Sequence, residues 1–163
     1  MNLSTKAVIA AQEMLSGEAG LKVSVEQVQA ELGQLGSEAS FRIDSDHWAA
    51  KMVERIPPNR DPKISVALIK LARGQKEKLA GYAATATMEL ELSLTHERAD
   101  KLRSLTGIYL DALSDVLNRN QGLWSSGVYF AGGFAIEIAP VSKGGLNYVQ
   151  SATVKFEINL WQD

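Results

Sequence analysis

The chain of 163 residues is about one domain long, and its 45% hydrophobic and 22% charged residues are ordinary globular usage, which excludes wholesale disorder. A formal net charge of −2 supplies no bulk basic field for holding nucleic acid or an anionic membrane. With no cysteine, and His47 and His96 as the two histidines, disulfides, thiolate zinc sites, cysteine nucleophiles and His-rich metal centres are excluded together. No apolar run approaches the roughly 20 residues of a membrane span. The N-terminus places Lys6 ahead of a short apolar stretch broken by Gln12 and Glu13, a poor signal peptide. The expectation is a soluble, intracellular domain over 1–163, with a helical N-terminal portion (1–62) and an α/β core (63–163).

Leu3 to Leu15 reads as a first helix, with Leu3, Ala7, Ala11, Met14 and Leu15 on one side and Gly17 and Gly20 ending it. Ser24 lies three residues before Gln27, the capping-box spacing. Val25, Val28, Leu32 and Leu35 then recur at helical intervals, which predicts a second helix closed near Gly33 or Gly36. Trp48, Met52, Val53 and Ile56 have the spacing of a third short helix around His47 to Arg55. Pro57, Pro58 and Pro62 can continue neither a helix nor a central strand, so residues 56–62 read as an extended loop.

Beyond that break the period changes. Ile64 to Leu71 is a β-branched, alternating run and reads as a strand. From Tyr82 to Leu94, apolar residues occupy every second position, with Thr85, Thr87, Glu89, Glu91 and Ser93 between them. That alternation predicts a strand with one buried face and one wet face. Arg98 to Arg119 is an amphipathic helix with Leu102, Leu105, Tyr109, Leu113 and Val116 as its stripe and Thr95 as a possible cap. Val128 to Ile138 is strand-like, interrupted at Gly132-Gly133 by a hairpin turn or a bulge. After the turn Lys143-Gly144-Gly145-Leu146-Asn147, the segment Tyr148 to Trp161 alternates again. The predicted fold is α+β: a mainly antiparallel sheet of about four long strands, a long helix packed on one face and an N-terminal helical extension.

Four groups of residues are candidates for function. Asp44, Asp46 and His47 crowd together and read either as ligands of a metal-dependent hydrolase or as a loop with a helix N-cap. Lys70, Arg73, Lys76 and Lys78 form the one basic cluster, a partner contact or a solvated hairpin loop. Trp124 and Trp161 stand outside the regular periodicity, as interface anchors or as plugs at the ends of the core. Glu89, Glu91 and Glu157 project from the polar faces of the two long strands. The glycine pairs 132–133 and 144–145 lack the spacing of phosphate loops and read as turns. Residues 82–94 extended at about 3.3 Å each would span about 43 Å, as long as a compact chain of this size is wide, roughly 40 Å. Such a strand bends or projects from the core, and a projecting hairpin needs a partner surface to be stable.

From about Pro62 to Asp163 the chain resembles phage tail terminator proteins. The match runs through Ile64 to Leu68, the alternating segment Ala83 to Leu92, the helix Arg98 to Arg119 and the closing strand Ala152 to Leu160. It is a likeness of pattern and order without an invariant motif, and the helical N-terminus has no counterpart in it. The resemblance implies a structural virion protein, without catalysis or cofactor, that forms a hexameric ring at the head-proximal end of a tail tube. Its implied partners are copies of itself, the tail tube protein, head connector or neck proteins and a sheath protein, with DNA passing through unbound. The implied location is the virion tail or neck, and host cytoplasm during assembly. A related neck or head–tail joining protein is the neighbouring alternative, and an adaptor dimer using the exposed sheet face a further one.

Overall fold

The computed structural model describes residues 2–34, 50–52, 63–73 and 82–162. Two helices, α1 (Leu3–Ser16) and α2 (Leu21–Gln34), open the chain, followed by β1 (Ala50–Met52), β2 (Lys63–Arg73) and β3 (Tyr82–His96). After α3 (Ala99–Arg119) come β4 (Gly122–Ser125), β5 (Val128–Phe130), β6 (Phe134–Ile138), β7 (Ser142–Gly144) and β8 (Asn147–Gln162). The fold is α+β, as the sequence predicts.

Eight described strands form one sheet in the order β1-β2-β3-β8-β5-β4, with β6 and β7 also paired to β8. Every pair is antiparallel except β1 with β2. The sheet therefore has twice the strands expected, because the short edge strands carry too few residues to show an alternation. Its spine is the β3–β8 pair, in register from Tyr82↔Gln162 to His96↔Tyr148 without a shift. At about 3.4 Å per residue this pair is about 50 Å long.

Alternation decides which face is dry. Ile64 and Val66 of β2, Ala84 to Leu94 at even positions of β3, and Ala152 to Leu160 at even positions of β8 are buried. They share one cluster with Leu3, Ala7, Ala11 and Leu15 of α1, Leu21 and Val25 of α2, and Leu102, Leu113, Val116 and Leu117 of α3. The helices thus cover the even face, where Leu90, Leu92, Val154, Phe156 and Ile158 are buried in the shared cluster. Helices α1 and α2 are core components and not an extension: α1 lies against β2, β3 and β8.

Three local readings need correction. Residues 50–52 are a strand, with Ala50 opposite Ile64, so the proposed third helix is absent there; the rest of that segment lies outside the described residues. Helix α2 begins at Leu21, one turn before the capping box at Ser24, and the buried Ser24 hydroxyl instead donates to Asp115 Oδ2 at 2.7 Å. Thr95 lies within β3, opposite Val149, and is not the N-cap position of α3. The N-cap of α3 is Arg98, whose N–H donates to His96 Nδ1 at 2.9 Å.

The interruption at Gly132-Gly133 is a bulge and not a hairpin turn. Tyr129 opposes Asn159 and Phe134 opposes Phe156, so the four residues between them on one side run against two on β8. Gly132 supplies the left-handed conformation there, at φ 109. A second slip between Ile138 and Ser142 spans Pro140, a residue that donates nothing to a ladder. The strands β5, β6 and β7 are accordingly consecutive pieces of one bent edge along β8. Gly145 and Leu146 form the loop between Gly144 and Asn147, with Gly145 at φ 73, the glycine-first pattern of a type II′ hairpin.

Candidate functional site

The odd-numbered face of β3 and β8 carries none of the described helices. Cross-strand rows follow directly from the register. Ala67, Glu89, Lys155 and Ala135 lie in one row, and Ser65, Glu91, Thr153 and Glu137 in the next. Lys63, Ser93 and Ser151 lie on one side of them, and Lys70, Thr87 and Glu157 on the other. Four carboxylates and three amines thus share a surface otherwise built from serine, threonine and alanine. Glu89, Glu91 and Glu157 do come together on one face, as the sequence suggests. They are not a uniform acidic lining, because Lys155 stands directly opposite Glu89 and within 4.0 Å of Glu137.

The remaining candidates scatter. Lys70 and Arg73 sit on β2 and not in a loop; Lys70 opposes Thr87 on the open face and Arg73 opposes Ala84. Lys76 and Lys78, and the whole cluster Asp44, Asp46 and His47, lie outside the described residues. Among the described residues no group of three or more His, Cys, Asp or Glu side chains could hold a metal, and none of the described helices is long and apolar enough to cross a membrane.

The two tryptophans divide between the two readings. Trp124 is half-buried on β4, its ring against Phe130 and Phe156 at 5.4 and 5.9 Å, so it plugs the core end. Trp161 is exposed on β8 and meets Tyr129 edge-on at 6.3 Å. Leu123, directly opposite Tyr129 and 70% exposed, extends that apolar spot.

Sequence reading misses the tip of the β7–β8 hairpin. Residues 142–147 are all exposed, and Leu146 is 96% exposed. An apolar side chain inside a glycine turn was the available signal, since turns favour polar residues for their backbone chemistry. A cleft of about 490 Å³ opens on the same sheet where the bulge swings β6 away from β5, lined by Thr87, Ala131, Phe134, Ala135, Lys155 and Glu157 among others.

A second cleft, of about 370 Å³, lies between the α1–α2 turn and β4, with Glu13, Arg119 and Trp124 in its wall. Arg119 is already engaged. It donates to Asp115 at 2.9 Å, to Ser24 Oγ at 2.6 Å and to the carbonyls of Gly20 and Ala19 at 3.0 and 3.1 Å. That cleft is a structural seam. At the start of α3, hydrogen bonds from Arg98 hold the exposed Asp100 carboxyl below the ordinary carboxylate range.

No family model matches the chain, and no curated protein matches it. Among solved structures it is similar to a chain of the virion of a native gene transfer agent particle, at 11% identity and a TM-score of 0.47, over 86% of this chain and 94% of that one. That likeness is too slight to define a shared fold.

Proposed function

We propose that the chain is a structural subunit of a phage-like virion, a tail terminator that closes into a ring at the head-proximal end of the tail tube. The observation that carries this reading is the β3–β8 pair, about 50 Å of unbroken register with one face packed and the other uncovered by any described helix. A sheet that spans the whole molecule and ends in an exposed hairpin is built to meet other subunits, since isolated hairpins are marginal in water. The order of strand, long strand, helix and closing strand on which the resemblance rests is kept in the fold. Docking to the tail tube and to a head connector, and passage of DNA through the ring, belong to this proposal.

Size-exclusion chromatography with light scattering, followed by electron microscopy of the same peak, tests it. A closed ring of about six copies is expected. A monomer or an isolated dimer across the whole concentration range overturns the reading.

A further inference from the structure

We infer that the β7–β8 hairpin tip of one copy docks into the cleft at the β5–β6 bulge of the next, with Leu146 as the inserted side chain and Lys143 facing Glu157. This inference rests on the ring reading and names its contact. The occupant has to present an apolar knob beside a positive charge, and a second copy of this chain does both.

Leu146 is almost fully exposed at a two-residue turn, an apolar side chain outside the core formed by the described residues. Lys143 is the sole charge on the exposed stretch 142–147. The cleft offers the complement. Ala131, Phe134 and Ala135 make its apolar wall; Lys155 also lines it but is engaged by Glu137 at 4.0 Å, which leaves Glu157 as the rim charge without an ion-pair partner among the described residues. Its volume of about 490 Å³ falls in the range of side-chain and ligand pockets.

Geometry makes the contact intermolecular. From Asn147 to Phe156 the strand runs about 30 Å at ~3.4 Å per residue, so a tip cannot reach its own cleft along the straight β8. Because tip and cleft are different surfaces, the contact either repeats head to tail, ending in a ring or a fibre, or is exchanged reciprocally across a two-fold axis. The ring reading takes the first arrangement, and a double cysteine variant separates them, a ladder of multimers marking the repeat and a dimer alone the two-fold exchange.

The absence of native cysteine makes a crosslinking test clean. Leu146→Cys and Ala135→Cys variants, each exposed at its position, are mixed and oxidised. Disulfide-linked dimers are expected from the mixture and not from either variant alone, and the double variant is expected to give a ladder of multimers. Dimers from Leu146→Cys alone, signifying tip-to-tip contact, would overturn the inference. So would the absence of crosslinks in a sample that light scattering shows to be assembled; that outcome leaves the ring reading standing, whereas an unassembled parent protein removes both. Lys143→Glu and Glu157→Lys are each expected to weaken assembly at least tenfold, and together to restore it. Failure of the double exchange to restore it would assign the charges to other partners.

Discussion

At the scale of single residues, the sharpest structural commitments are aromatic and lie on the dry face of the sheet. Phe156 is 2% exposed and meets Phe130 and Trp124 through tilted or edge-on ring contacts within 6 Å, the arrangement the ring quadrupole favours. It also sits opposite both Met88 and Phe134, so it ties the spine to the bent edge. Phe156→Ala is expected to cost about 3–5 kcal/mol, read as a lowered midpoint in chemical denaturation; an unchanged midpoint would reject the register. Gly127 is held differently. At φ 75 it would place a Cβ 2.7 Å from the Trp161 carbonyl, while its own carbonyl accepts from the Trp161 N–H at 2.9 Å. The turn between β4 and β5 is therefore pinned to the end of β8 by a backbone that admits glycine alone.

At the scale of elements, α2 is fastened to α3 by a polar lock inside an otherwise apolar contact. The Ser24 hydroxyl donates to Asp115 and accepts from Arg119, and Arg119 reaches on to the carbonyls of the α1–α2 turn. Asn120 adds a bond to the Ala19 carbonyl at 2.9 Å. Ser24→Ala leaves this network short of one buried partner and is expected to cost about 1–3 kcal/mol; circular dichroism melts at neutral pH would show it, and a value within error of zero would mean that the Ser24 hydroxyl adds nothing to the bonds Arg119 and Asn120 make with the turn carbonyls. This lock also marks what could be read in the sequence. Long periodic segments were legible: α1, β3, α3 and β8 start and stop within two residues of where periodicity puts them, because each buries a full stripe or face. Ser24 was not, since a serine three residues ahead of a glutamine is the pattern of a cap, and only tertiary packing shows that α2 starts a turn earlier. Residues 50–52 read as helix because three residues of strand carry no period of their own. The strand-like run Val128 to Ile138 with its break at Gly132-Gly133 was legible, whereas β4 and β7 escaped for the same reason, and only pairing to β8 shows β5, β6 and β7 as one bent edge. The open face was legible from Glu89, Glu91 and Glu157, while the charges that temper it, Lys63, Lys70 and Lys155, come from separate strands and meet only through register.

At the scale of the whole molecule, the described helices cover one face of the sheet and none covers the other. Under the proposed ring reading, charge decides whether that face lines a DNA-filled channel. A lining that neither attracts nor traps phosphate must avoid a net positive field, and four carboxylates against three amines meet that condition narrowly. A substitution that tips the balance is therefore informative, provided it spares the sheet and the hairpin contact. Glu89→Lys would set two amines opposite each other at Lys155, and like charges directly across a pair destabilise it. Glu91 is the better position. It opposes Ser65 and Thr153, is exposed, and stands apart from the bulge cleft. Glu91→Lys changes each subunit by two charges, and a ring multiplies that change by its number of copies. If the open face lines the channel, the variant is expected to keep its assembly in light scattering and to retain DNA on a filter, with retention falling steeply as salt is raised, the mark of released counterions. An assembled variant that retains no DNA at any salt would put this face on the outside of the ring, toward a neighbouring protein.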